Sequence, residues 1–569
     1  MKEQNNKTKA RLQRFKELYT SAQIAHEARQ DRLTRHMDQY MGSDEIDGST
    51  ERASVVRNIT YELIESEINA DIPVPKVDTS CYSTEREQNA RAVERLSSAL
   101  RSRLPFEELN DRDERYTYIY GGSIFYVEWD STQSDNAGEG GVRVHLLSPQ
   151  EFIPQPSIDK VEDMEYCFLH FTTTRSELVT KYGIKSDEAT LAECEYISDV
   201  NDPMGDTVAI VVCFYKDEMG QVGKFVFSGE VVLMDMPKYY KRKRAVCKKC
   251  GCDISICECE EPKIEYVDDD IERVTLHGGN TVDIPYYVPD LFPIVIRKNT
   301  PGDEPLLGGS DCDKIRSQQQ AINKLESRIM QKLLRSGVTP IMPEGATITL
   351  SNAVFGQIIK TRPGEGVDSY GKIDTTPDIG QDILAADRLY DQAKRVLGIS
   401  DALQGLDATT AESGYARQLK ISRASSRLET KKRMKQLAYC RIYELIFKHY
   451  LAFADEPRRF AYRDTMGRMH YTEFNRYDFI ECDKNGNYYY DDSYLFTAND
   501  TKQYQSETLW EINLTNLERG TLGDKESPAT LMRYWQLQDK AHFPYARENA
   551  EYFQNVLNSI SQDETNRKE

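Results

Sequence analysis

Five of the chain's 12 cysteines fall within residues 247–259, in the order Cys247-x-x-Cys250-Gly-Cys252, then Cys257-x-Cys259. A CxxCG turn can chelate one ion with two thiolates, and Gly251 admits the tight backbone that follows. Cys257 and Cys259 supply the second pair, with Cys252 as a substitute for one of the four. Four thiolates close a tetrahedral shell and leave no position for water, so the expected metal is a structural Zn2+. The spacing departs from the commoner CxxC…CxxC ribbon, and a surface loop of reduced thiols is the plainer alternative. The other cysteines are scattered, and residues 1–15 lack the apolar stretch of a secretory signal, so the expectation is reduced thiols plus one metal site.

A second pattern is a basic stripe. Arg417, Lys420, Arg423, Arg427, Lys431 and Lys435 recur every three or four residues, which puts them along one side of a helix. Such a stripe either meets phosphates or pairs with acidic neighbours, and pairing is the simpler use. The run 241–244 (KRKR) reads as a solvated charge run balanced by Glu258, Glu260 and Glu261.

Catalytic patterns fail on inspection. Residues 366–373 imitate a phosphate-binding loop, but Ile373 stands where a Mg2+-holding hydroxyl belongs and Pro377 follows where a helix should open. No HExxH or GxSxG occurs, and no general base has visible partners. The chain is therefore expected to be no enzyme and to bind no nucleotide.

With 569 residues, 73 Lys+Arg against 93 Asp+Glu and a net charge of −20, the chain is not built to coat nucleic acid with its whole surface. At 39% hydrophobic and 10% aromatic residues it is polar yet too aromatic for a disordered chain. That balance suits an elongated molecule. No apolar run approaches the ~18 residues of a membrane span.

The elements follow from period. Residues 1–40 read as a helix, with Leu12, Phe15, Leu18 and Tyr19 at helical spacing. Helices are expected at 55–68, 84–109 and up to Tyr120. Strands are expected at 123–129, 142–147, 166–173, 208–215, 224–227, 231–234 and 294–298, with a Gly-rich loop at 136–141 and a proline-fixed turn at 148–156. Helix returns at 311–335, where Asp311 and Asp313 suit the N-terminal end of the dipole. Residues 338–375 read as short β-like pieces, 380–397 as helix, and 413–451 as the longest helix, roughly 57 Å at 1.5 Å per residue. Hairpins are expected around Met466-Gly467 and Asn485-Gly486, then helices to the C-terminus, with the last seven residues frayed.

This order of parts resembles the portal proteins of tailed bacteriophages. The resemblance is strongest over residues 291–451: FPIVIRKN, the helix beginning SDCDKIRSQQQAINKLESRIMQ, a small β-like excursion, a helix ending VLGISDALQG, and AESGYARQLK opening the very long helix. That last phrase is similar to the Ser-Gly-x-Ala segment with which many portals begin the helix after their tunnel loop. LSPQEFIPQP and TRSELVTKYGI also look like portal wing sequence. The serial order, rather than any one motif, carries the likeness. The cysteine cluster is outside the common portal pattern and looks like an insertion in the wing.

The resemblance implies an α+β portal fold, elongated and multi-part, with long helices and a β-rich wing. It implies a wing over 1–305 with the zinc-knuckle insertion at about 240–265, a stem helix over 306–336, a clip over 337–376 and a second stem helix over 377–398. A tunnel loop would span 399–413, the long helix 414–452, wing strands 453–505 and a helical crown 506–569. Such a subunit forms a ring, usually of twelve copies, at one capsid vertex, assembled in the host cytoplasm and carried in the virion, with no membrane. Double-stranded DNA passes its channel without sequence specificity during packaging and ejection. Its partners are the terminase, the major capsid and scaffolding proteins, and head–tail adaptors. Gln404, Asp407, Thr409 and Thr410 would line the tunnel loop, and Arg417, Lys420 and Arg423 are the candidates for phosphate contact. The rival classes are another capsid or adaptor structural protein and a zinc-containing nucleic-acid-processing enzyme.

Overall fold

Apolar spacing at the N-terminus yields a single long rod, as the pattern of Leu12 and Phe15 leads one to expect. In the computed structural model, this rod is α1 (Lys2–Met41), followed by α2 (Ile59–Glu65), β1 (Lys76–Thr79), α3 (Thr84–Arg103) and α4 (Phe106–Tyr120). Next come β2 (Gly122–Asp135), β3 (Gly138–Leu147), β4 (Phe152–Pro154), β5 (Tyr166–Thr174), α5 (Arg175–Tyr182), β6 (Thr207–Lys216), β7 (Val222–Ser228) and β8 (Val231–Met236). Then β9 (Lys243–Cys247), β10 (Ile264–Asp268), β11 (Ile271–Thr275), β12 (Thr281–Pro285) and β13 (Ile294–Lys298) precede α6 (Asp311–Arg335). The chain continues through β14 (Val338–Ile341), β15 (Gly371–Asp374), α7 (Gly380–Leu397) and α8 (Gly414–Phe453). It ends with β16 (Arg458–Arg463), β17 (Met469–Phe474), β18 (Ile480–Cys482), β19 (Tyr488–Tyr490), β20 (Tyr494–Thr497), α9 (Ser506–Glu518), α10 (Pro528–Lys540) and α11 (Ala546–Asn566). The structure describes residues 2–43, 55–79, 83–135, 138–182, 194, 207–241, 243–248, 259, 264–268, 271–275, 281–302, 304, 306–335, 338–341, 371–374, 378–399, 414–463, 469–497, 506–540, 543 and 545–566.

The class is mixed helix and sheet, compatible with α+β. Most expected elements appear close to their expected bounds, and five differ. The loop expected over 136–141 is shorter, because residues 138–141 extend β3 and pair back onto β2, Gly138 opposite Asp135 and Gly141 opposite Asp130. The helix expected over 84–109 stops at Arg103, because Pro105 cannot continue it and pushes Leu104 into an extended conformation (ψ 147°). The helix expected over 55–68 shrinks to α2, capped by the Asn58 side chain accepting from Tyr61 N. The fixed turn at 148–156 contains β4, paired with β5. The tail expected to fray stays helical to Asn566.

Among the described residues the two larger sheets are antiparallel, and the remaining strands form two-stranded pairs. One larger sheet has strand order β4-β5-β6-β7-β8, the other β13-β2-β3. Along α1, Leu12, Phe15 and Ala22 pack against Phe168, Phe225 and Phe227 of the five-stranded sheet. Further along, Arg29 meets Glu304 at 2.7 Å, and Gln39 Nε2 donates to the Cys312 carbonyl at 3.0 Å. The rod thus ties the sheet to the start of α6. Where α4 ends, Gly121 (φ +93°) turns the chain into β2. A Cβ there would lie 2.6 Å from the Gly308 carbonyl oxygen, so only glycine lets these two backbones cross.

The main core surrounds the C-terminal half of α8. Tyr439, Ile442, Tyr443, Ile446, Phe447 and Tyr450 recur at three- and four-residue spacing and meet α3, α4, β2 and the C-terminal strands. Arg476 closes the end of this helix. Its buried guanidinium donates to the Leu451 and Ala452 carbonyls at 3.3 and 3.4 Å and also bonds Glu272. A cation at a helix C-terminus satisfies carbonyls that no backbone N–H reaches.

Candidate functional site

The basic stripe runs along α8, and its two described side chains point inward. Lys431 and Lys435 are buried. Lys431 Nζ donates to Asp311 at 2.7 Å and to Glu67. Lys435 Nζ lies 3.0 Å from Glu114 and donates to the Asn69 carbonyl at 3.0 Å. The pairing reading therefore holds for this end of the stripe. Arg417, Lys420 and Arg423 share one side of α8 by helical register. Their side chains, and that of Arg427, lie outside the described residues, as do Gln404, Asp407, Thr409 and Thr410.

Five elements and the chain after α2 meet at this junction. Arg297 on β13 bonds Asp113 and sits 2.8 Å from Glu114, both on α4. Glu114 also accepts from Asn69 N at 2.9 Å and from the Tyr118 hydroxyl at 3.1 Å. Asp113 accepts from Ser123. Asp311, at the first turn of α6, accepts from Lys314 at 2.8 Å as well as from Lys431. Glu67, Asp113, Glu114 and Asp311 face Arg297, Lys314, Lys431 and Lys435.

The titration of these groups follows from burial and partner count. Burial raises Glu67, and the charge of Asp311 raises it further, against the pull of Lys431. Burial also works to raise Glu114, but Arg297 and Lys435 together hold it below the usual carboxylate range. For Lys435 burial prevails and lowers the ammonium. The arrangement is a lock between elements: each charge is committed to a structural partner. The sequence offered one signal of it. Asp113 and Thr117 stand at helical spacing from Phe106 and Asn110, on the stripe that α4 buries.

At the cysteine cluster, β9 and β10 form an antiparallel hairpin whose last pair is Cys247 opposite Ile264. Of the run 241–244, Lys243 and Arg244 lie in β9. Cys247 is fully buried and Cys259 half-buried. Cys250, Cys252 and Cys257 lie outside the described residues. Among the described residues no three His, Cys, Asp or Glu side chains gather around a common point. The register brings the two ends of the segment 247–264 together.

The third feature is an arm. Helices α6 and α7 run side by side, joined through Ile315, Ile322, Ala393 and Leu397 at the base and a Lys332–Asp382 ion pair further out. At the outer end, β14 and β15 pair antiparallel from Val338–Asp374 to Ile341–Gly371. Large apolar side chains on the outer part of this arm remain open to solvent, Leu334 at 67% and Leu384 at 70%. No helix among the described residues is long and apolar enough to cross a membrane. The chain matches no protein-family model and no curated protein sequence.

Proposed function

We propose that this chain is a portal-type subunit that assembles into a ring at a capsid vertex and passes double-stranded DNA through its centre. The observation that carries the reading is the helical arm closed by the β14–β15 pair and followed by the 40-residue α8, in the order that the sequence resemblance implies. At 1.5 Å per residue α8 is about 60 Å long. Helices of that length, with exposed Leu334 and Leu384 on the arm, cover their apolar surface by lateral packing between copies. A net charge of −20 suits a channel wall along which phosphates slide without being held.

In this reading α6 and α7 are the stem, residues 337–376 the clip, and 399–413 the tunnel loop facing DNA, with Gln404, Asp407, Thr409 and Thr410 offering weak contacts. Arg417, Lys420 and Arg423 are the cations left for phosphate or for a neighbouring subunit. The role is structural rather than enzymatic, and terminase, capsid, scaffolding and adaptor proteins are the partners. A Zn2+ held by Cys247, Cys250, Cys257 and Cys259 would pin the β9–β10 hairpin, with Cys252 the alternate ligand.

Negative-stain imaging and light scattering of the purified chain test the assembly. A ring of about a dozen subunits with a central hole is expected; a monomer across the micromolar range at several salt concentrations overturns it. Deleting residues 405–410 should leave rings intact and impair DNA packaging or retention. Elemental analysis after dialysis should find about one zinc per chain, and zinc-free protein purified without chelator removes the metal from the proposal.

A further inference from the structure

Strand β3 is the outer strand of its sheet, and among the described residues no strand pairs with its far side. A cleft of about 660 Å³ runs along that side. Its lining includes Val142 and Val144, which face the core, and also Arg143 and His145, which face the other way. Side chains from both faces of one strand border the same cleft only where the cleft follows the strand's edge. The opposite wall is the corner between α3 and α4, with Leu100, Leu104 and Pro105. Tyr450 and Phe460 complete the apolar lining at one end.

Charge in the cleft is opposite to that of the chain. Arg103, Arg112, Arg143 and Arg458 line it, against Glu108 and Glu151; Arg143 is held by Asp130 at 2.9 Å, and Arg103 lies over the Phe460 ring. Arg458 is committed, donating to the Gly140 carbonyl at 2.7 Å, and so marks where the open edge begins. Gly140 itself (φ +79°) lies so close to Trp129 that a Cβ would sit 2.6 Å from the indole nitrogen, which fixes this end of the strand. Arg112 and Glu108 are 3.8 Å apart, with side chains 49% and 77% exposed. An ion pair that open contributes little and yields readily to a better-placed carboxylate.

We infer that the edge of β3 is a docking groove for an extended acidic peptide from a partner protein, which adds to the sheet as a fourth strand. The main-chain groups of residues 141–147 would pair with the peptide backbone, as in other strand-addition complexes. Every second peptide side chain would enter the apolar lining of Leu100, Leu104 and Val144, and the alternating ones would meet Arg112 and the exposed head of Arg103. The volume falls in the range of binding clefts, roughly 300–1,000 Å³. This inference is independent of the ring reading, since it concerns one chain and its own sheet edge.

The test uses the full chain and a fluorescein-labelled heptapeptide alternating valine and glutamate. Fluorescence anisotropy should show saturable binding, at least tenfold weaker for the valine–lysine peptide and for a peptide N-methylated on the bonding edge. Arg103→Glu combined with Arg112→Glu should weaken the glutamate peptide tenfold or more and strengthen the lysine peptide. Both arginines are exposed, and an unchanged circular dichroism spectrum verifies folding. Hydrogen exchange at residues 141–147 should slow when peptide is bound. Equal binding of the glutamate, lysine and N-methylated peptides, or no binding at millimolar peptide, overturns the inference. Self-association that Arg103→Glu/Arg112→Glu abolishes, with no peptide binding, also overturns it, by naming a second copy as the occupant.

Discussion

Two stretches of α8 hold their neighbours by different physics. Around Lys431 and Lys435 the helix is surrounded by carboxylates and a guanidinium, each with a designated partner. Three turns on, around Phe447 and Tyr450, it is surrounded by rings: Phe447 has Phe474, Phe479, Tyr494 and Phe496 within 5.2–6.3 Å. Aromatic contacts are favourable over a range of geometries, so the second stretch supplies stability and tolerates adjustment. Charges out of water cost several kcal/mol each unless every partner is present, so the first stretch contributes little net stability but penalises any other arrangement of α4, β13, α6 and α8. One helix thereby combines a general source of burial with a specific register.

The sharpest way to break this contrast is Arg297→Met. It leaves Asp113 and Glu114 in the interior with Lys435 alone, and should cost roughly 3–5 kcal/mol in urea unfolding. A loss under ~1 kcal/mol would mean that the junction is hydrated and not a lock.

His449 probes the aromatic side by pH. It is buried among Tyr239, Tyr240 and Phe453, its Nδ1 lies 2.8 Å from the Leu445 carbonyl, and burial lowers its pKa to about 4 from 6.5. The folded state therefore keeps the ring neutral while the unfolded state takes up a proton. Stability from this group is complete above pH 6.5 and is lost as pH falls toward 4, about 3 kcal/mol in all. His449→Phe should flatten that part of the pH–stability curve, and an unchanged slope between pH 6.5 and 4 refutes the assignment.

Phe447→Leu, a change of shape without a stranded charge, should cost only about 1–2 kcal/mol. A loss equal to that of Arg297→Met would erase the distinction between the two stretches. The smallest effect is expected from Glu67→Gln near pH 4.5, under ~1 kcal/mol, because there the folded site holds the protonated carboxyl that Gln imitates. A raised carboxyl pKa means that the folded state binds the proton more tightly, so its contribution falls as pH rises above 4.5. Relative to the parent chain, Glu67→Gln should gain stability with increasing pH; a gap that stays constant from pH 5 to 9 contradicts the raised carboxyl.

Local pattern was enough for the rods and most strands. Residues 311–335 and 294–298 have the expected bounds, because an apolar stripe of period 3.6 or a run such as IVIRK has one low-energy way to bury itself. The break at Pro105 was equally local and was available from proline chemistry. The pairing of β1 with β20, Lys76 opposite Thr497, was not, since nothing in either segment encodes a partner so far along the chain. The edge of β3 that has no strand partner among the described residues is of the same kind: sequence shows a strand, while sheet order alone shows which side is left over.

The basic stripe marks this boundary most clearly. By itself the sequence determined that Lys431 and Lys435 lie on the same side of a helix as Arg417, Lys420 and Arg423, because helical period is a property of the local backbone. Whether those cations face solvent or the interior depends on where carboxylates arrive. Glu67, Asp113, Glu114 and Asp311 come from three distant segments, brought together only by the crossing of α4, α6 and α8. Burying an ammonium is favourable only with those partners in place, so the tertiary structure alone decided that this end of the stripe is interior.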